Sequence, residues 1–313
     1  MRKLFLFSVF SFFIFSFSTK IFAATIVVND ISENTTWTES ESPYVVSTAL
    51  SVLSSATLTM EPGVVVKFDY GSYLVVEGIL NASGTESKPI YFTSYYDDFL
   101  GGDTNGDGQD SSPYSGDWED IFIQSTAGQS VLDHVISRYS NGGLVLYKGS
   151  SVSSDNFDSD QGITLVGSHA LFKNLKIPKI ELYNTSQVSV DTAHIVNPDS
   201  FSIIVGDNSS LSIKNSTVSG RDFGGIINIF KNSSATFDTV DIFATNPLNS
   251  STGFSVFDSS SLDLNKSSIH DVHDGFQIFN NSSVKSNFCF SNSCEGGKKS
   301  YALMCFSTID VNC

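Results

Sequence analysis

Gly225-Ile226-Ile227-Asn228-Ile229-Phe230-Lys231-Asn232-Ser233-Ser234-Ala235 decides the fold. A short apolar run comes first. A polar Asn/Ser corner follows, and after it apolar and polar residues alternate. The same order recurs along the second half of the chain, in Gly206-Asp207-Asn208-Ser209-Ser210-Leu211, in Phe257-Asp258-Ser259-Ser260-Ser261-Leu262 and in Phe279-Asn280-Asn281-Ser282-Ser283-Val284. The first Ser of each copy falls at 150, 168, 186, 209, 233, 260, 282 and, in a degenerate echo, 307. The steps are therefore 18, 18, 23, 24, 27, 22 and 25 residues. A period in this range marks stacked repeats. Alternation with period two, as in Leu211-Ser212-Ile213 and Leu262-Asp263-Leu264, gives each strand one buried and one wet face. A third short piece ends in Val or Ile, as in Thr217-Val218 and Ser268-Ile269.

These features predict an all-β chain: a right-handed, single-stranded parallel β-helix with three short strands per rung, stacked about 4.8 Å apart. A leucine-rich repeat needs Leu at fixed positions and an Asn inside its motif. A propeller blade needs about twice the period. The corners fit the β-helix, because a sharp turn places a residue at φ > 0, which Asn tolerates best among residues with a Cβ. Stacked Asn and Ser can then hydrogen-bond from rung to rung. A repeat of this kind buries its core only against its neighbours, so several rungs are needed.

The chain divides into residues 1–23, 24–130 and 131–313. Met1-Arg2-Lys3, the Phe-rich apolar run from Leu4 to Phe17 and the small residues Ala23-Ala24 read as a secretory signal peptide, too short to span a membrane. Cleavage leaves 14 Lys+Arg against 33 Asp+Glu, a formal charge of −19. That balance argues against nucleic acid and anionic lipid as partners. With no second apolar run of spanning length, no membrane insertion is expected after cleavage. Residues 24–130 are expected to form an N-terminal cap and the first rungs, and 131–313 the repeats.

Glu61-Pro62-Gly63-Val64-Val65-Val66-Lys67-Phe68 gives a turn and then a buried strand. The turn Gly78–Gly84, the strand Pro89–Ser94, an acidic loop and Gly116-Asp117-Trp118 follow. With these elements the chain resembles secreted right-handed parallel β-helix repeat proteins of the pectin-lyase-like superfamily. The resemblance is specific for fold. That superfamily includes polysaccharide lyases, hydrolases, surface adhesins and members with no established activity, so the resemblance does not fix a function.

The acidic loop, residues 95–120, carries Asp97, Asp98, Asp103, Asp107, Asp110, Asp117, Glu119 and Asp120, and no Lys or Arg occurs between Lys88 and Arg138. Within it, Asp103-Thr104-Asn105-Gly106-Asp107-Gly108-Gln109-Asp110 has the spacing of the first half of a calcium loop. Oxygens at positions 1, 3 and 5 converge, Gly at 6 permits the turn, and the carbonyl of Gln109 at 7 adds a ligand. Position 12 is Tyr114, not the usual Glu. Asp98, Asp110, Asp97 or Asp117 would complete the shell of a structural Ca²⁺. The alternative is a solvated acidic loop without metal.

The four cysteines, Cys289, Cys294, Cys305 and Cys313, all lie near the C-terminus. Their even number in an exported chain predicts two disulfides, with three possible connectivities, fixing the last rungs in place of a capping helix.

Polar residues before the strands offer candidate chemistry: Arg138-Tyr139, Asp158, Asp160, Asp199, Arg221-Asp222 and His270-Asp271-Val272-His273-Asp274. Arg221, Asp222, His273 and Asp274 could share a polar groove, but they are expected not to be catalytic. Asp and Asn are the usual residues of such turns, and neither a Gly-His-Gly with paired Asp nor an Arg-centred lyase pattern is present. Trp37 and Trp118 lie outside the repeats. Tyr147, Tyr183, Phe223 and Phe276 offer rings for a sugar or for the core. The expected function is a secreted or cell-surface, non-catalytic protein that binds glycan or another extracellular surface component. The alternative is a polysaccharide lyase or glycoside hydrolase.

Overall fold

In a computed structural model, residues 24–124, 127–147, 149–220, 225–245, 251–286 and 309–312 are described. Among them a single 3-10 turn, Glu39–Glu41, interrupts an otherwise all-strand chain. The strands form two sheets, of 19 and 10 strands, whose parallel pairings stack as a β-solenoid of about 11 turns. Residues 1–23, read from the sequence as a signal peptide, and all four cysteines lie outside the described residues.

The ten-stranded sheet runs from Ala49–Val52 through Trp118–Ile123 to Asp274–Ile278. Its register holds Leu74, Ile121, Leu144, Ile163, Ile180, Ile203, Ile227 and Phe254 in one inward column. All are buried. Because side chains alternate along a strand, one apolar residue in two fills this core, and each contributes about 1.5–3 kcal/mol.

In the larger sheet the second and third pieces read from the sequence run as continuous 11-residue strands: Gln187–Asn197, Ser210–Gly220 and Ser234–Ala244. Each bends at one left-handed residue, Thr192 (φ 66°), Asn215 (φ 52°) or Thr239 (φ 60°). Pairing skips the bend residues and resumes beyond them in the same register.

The other corner explains the repeated Ser. Two consecutive left-handed residues, Asn184-Thr185, Asp207-Asn208, Lys231-Asn232, Asp258-Ser259 and Asn280-Asn281, turn the chain. The next residue is the first Ser of each pair, and it is buried. The backbone N–H of Ser168 donates to Oγ of Ser186, Ser186 to Ser209, Ser209 to Ser233, Ser233 to Ser260 and Ser260 to Ser282, at 3.1–3.3 Å. A buried N–H needs an acceptor. Ser supplies one in the smallest volume, which is why it recurs where a larger side chain would not fit.

The C-terminal end departs from the repeat. Ile309–Asn312 pairs antiparallel with Ser283–Ser286, against the parallel pairing of the other strands.

Candidate functional site

The acidic loop leaves the solenoid after Ile90–Ser94 and returns in Trp118–Ile123. Two of its carboxylates anchor it. Thr93 Oγ1 donates to Asp97 at 2.6 Å, and Ser94 Oγ donates to Asp117 at 2.6 Å. The N–H of Tyr114 also donates to Asp117. Trp118 then seats the return: its ring stacks on Phe68 at 4.4 Å, and Nε1–H donates to the Arg138 carbonyl at 2.8 Å. Asp97 and Asp117, weighed as ion ligands, thus serve as anchors, although the second oxygen of Asp117 is buried without a partner.

Between the anchors, carboxylate oxygens of Asp98, Asp103 and Asp107 approach within 4.8 Å of one another. Asp103 folds the loop, accepting the N–H groups of Gly106 (2.7 Å) and Gly108 (2.9 Å). Gly106 and Gly108 sit at φ 74° and 76°, where Gly costs least. The amide of Asn105 donates to Asp107 at 2.9 Å and to Ser111. Gln109 and Asp110 are exposed, and Asp110 is outside the converging group. One oxygen each of Asp98 and Asp107 is buried and unpartnered. Burial, followed by the charge of Asp103, raises the Asp98 pKa above the ordinary carboxylate value. Oxygen donors with unmet acceptor capacity fit a hard cation such as Ca²⁺.

Sequence reasoning missed Lys67. It sits on the strand Val65–Phe68, fully buried, and its Nζ donates to the Gly102 carbonyl at 2.6 Å and to Thr104 Oγ1 at 3.1 Å. Burial lowers its pKa, while the charges of Asp97, Asp98 and Asp103 oppose that shift. The loop therefore has a countercharge from another strand, which the absence of Lys and Arg between Lys88 and Arg138 does not reveal. The signal was the lone Lys in Val64-Val65-Val66-Lys67-Phe68, a charged residue in a run otherwise buried.

The polar residues before the strands pair with one another. Arg138 contacts Asp158 at 2.9 Å and donates to the carbonyls of Ser137 and Asp158. Lys176 also reaches Asp158, at 3.1 Å. Asp160 accepts the N–H of Tyr139 at 2.7 Å, and burial raises its pKa. His270 lies between Asp271 (2.7 Å) and Asp241 (3.1 Å) and stacks on Phe243. His273 Nδ1 is 3.3 Å from Asp274. Arg221, Asp222 and Phe223 lie outside the described residues.

Phe276 stacks on Phe254 and packs against the core. Tyr147 instead belongs to an outward row on the ten-stranded sheet: Tyr73 meets Phe122 edge-on at 5.9 Å, and Phe122 stacks on Tyr147 at 6.4 Å. Tyr183, further along this edge, has its hydroxyl 3.4 Å from Glu181, and burial together with that carboxylate pushes its pKa up to about 12. Comparison with protein-family models, curated proteins and solved structures finds no match.

Proposed function

We propose that this protein is a secreted or cell-surface β-solenoid that binds an extracellular glycan without cleaving it, its acidic loop steadied by Ca²⁺. In this reading the solenoid is right-handed with three strands per turn, as in the pectin-lyase-like superfamily. The observation that carries the glycan reading is the row Tyr73, Phe122 and Tyr147. These rings are partly exposed on the outward face of a parallel sheet. Aromatic rings in a row present flat apolar surface to the C–H face of a sugar, and the tyrosine hydroxyls can bond to its edge. Asp98, Asp103 and Asp107, with Asn105 beside them, would hold the ion. Bound there, Ca²⁺ would neutralise the clustered carboxylates and occupy the unpartnered oxygens of Asp98 and Asp107.

The test is retention on insoluble polysaccharides, acidic and neutral, with parallel assays for reducing ends and unsaturated products. The wild type should be retained by at least one polysaccharide without releasing products. Phe122→Ala combined with Tyr147→Ala should cut retention at least tenfold. Retention by none would refute the glycan reading. Product release would replace it with the lyase or hydrolase reading.

A further inference from the structure

A second concave surface lies around the bend of the larger sheet. At three successive turns the bend residue is His134, Asn156 and Asn174, all left-handed at φ 50°, 61° and 52°. The N–H of His134 donates to the Asp155 carbonyl, and that of Asn156 to the Lys173 carbonyl, so the three side chains stack along the solenoid axis. A short loop, Thr85 to Lys88, is closed by reciprocal backbone bonds of 3.0 Å and overhangs this column. Between loop and column is a recess of about 480 Å³, lined by Glu86, His134, Ile136, Asn156, Asn174 and Lys176 among others. Small-molecule sites fall in the range of about 300–1,000 Å³.

The hydrogen-bond inventory defines what fits. The Asn156 amide nitrogen donates to His134 Nε2 at 3.1 Å and to Asp155 at 2.9 Å. With Nε2 accepting from the amide, which has no lone pair to accept in return, Nδ1 is the ring nitrogen left to donate. The Asn174 amide nitrogen also donates to Asp155, at 2.8 Å. Both amide oxygens remain as acceptors. Glu86 adds a carboxylate, and Lys176, tied to Asp158 by one contact, keeps protons to donate. Ile136 and Pro89 supply an apolar wall. Charge is balanced: Glu86 and Asp158 stand against Lys176 and the Arg138 that also holds Asp158. A free anion or cation gains little from such a set. A ligand with many hydroxyls and one apolar face gains from all of it.

We infer that this recess binds a short neutral oligosaccharide, at a place separate from the aromatic row. The inference shares the ligand class of the proposed function but not its site. It is tested by calorimetric titration of the full chain with cellotriose, chitotriose and mannotriose. Lys176→Trp fills the recess from an exposed strand position, Glu86→Ala removes the overhanging carboxylate from an exposed loop, and Phe122→Ala weakens the aromatic row. Wild type should bind one trisaccharide, and both recess variants should bind it at least tenfold more weakly. If Lys176→Trp does not fold, Glu86→Ala carries the comparison alone. Undiminished binding by the recess variants overturns the inference, and if Phe122→Ala then loses binding, the glycan reading survives at the aromatic row. No binding of any trisaccharide by the wild type also overturns it, while polysaccharide retention tests the other reading independently.

Discussion

Along the column from Ser168 to Ser282, each buried N–H meets the hydroxyl of the next turn. In the loop from Tyr95 to Asp117, carboxylates crowd around one buried lysine, and three of their oxygens are buried without a hydrogen-bond partner. Both regions bury polar groups. The column solves the problem by repetition, because every turn donates what its neighbour accepts. The loop occurs once, has no neighbouring copy, and is left with acceptor capacity that a cation can fill. Self-satisfied regions specify structure, whereas regions with unmet valence are where a ligand gains most.

The largest effect should come from breaking the column. Ser233→Val removes the acceptor for the Ser209 N–H, about 1–3 kcal/mol, and crowds a packed corner, about 1–3 kcal/mol more. Ser234→Val, on the next residue but facing solvent, should stay within about 0.5 kcal/mol. Urea unfolding midpoints of the two variants measure the difference. Equal midpoints would mean that the column does not hold the stack.

The loop should respond to metal where the column does not. Ca²⁺ at ten to a hundred times its Kd should stabilise the wild type by about 1–3 kcal/mol. Asp103→Asn with Asp107→Asn should abolish the shift in thermal midpoint, and the chelated midpoint should fall, because Asn keeps only one of the two acceptors Asp103 offers to Gly106 and Gly108. Lys67→Met should lower the midpoint in chelator and enlarge the response to Ca²⁺, since it removes the countercharge. An unchanged midpoint on adding Ca²⁺ to the wild type would remove the site.

The pH dependence sharpens the same contrast. The Asp98 pKa is raised in the fold, mainly by burial. In the window between the ordinary Asp value and that raised value, the folded chain binds more protons than the unfolded chain, so this residue makes stability fall as pH rises. Ca²⁺ binds the charged form and should reverse that slope; chelated and calcium-loaded samples scanned from pH 3 to 6 compare the two. His270 behaves otherwise. Burial alone would lower its pKa, but hydrogen bonds to Asp271 and Asp241 outweigh burial and raise it. Its contribution is therefore full below the unfolded His value and is lost as pH rises through the folded one. Asp241→Asn with Asp271→Asn should flatten that part of the profile.

The smallest effect concerns the bends. Thr192 and Thr239 are β-branched residues held at positive φ. Thr239→Asn should stabilise by a few tenths to about 1 kcal/mol, because Asn visits this region more readily. A loss of stability would show that the threonine side chain contributes more there than its backbone strain costs.

The repeat was legible because a solenoid writes its geometry into local spacing. The Ser positions, the Asn-rich corners and the alternation of Leu211-Ser212-Ile213 each reflect contacts that recur every turn, so their period predicted the parallel stack. The spacing Asp103-Asn105-Asp107 likewise named two of the three carboxylates that converge. Tertiary structure alone decided the rest. It brought Lys67 under the loop from a strand 36 residues before Asp103, assigned Asp97 and Asp117 to anchoring, and set Tyr73, Phe122 and Tyr147 side by side from three separate turns. It also placed the Thr85–Lys88 loop over His134, Asn156 and Asn174, and reversed Ile309–Asn312 against Ser283–Ser286. These contacts occur once each. A contact made once leaves no period in the sequence, so only the folded chain shows which residues meet.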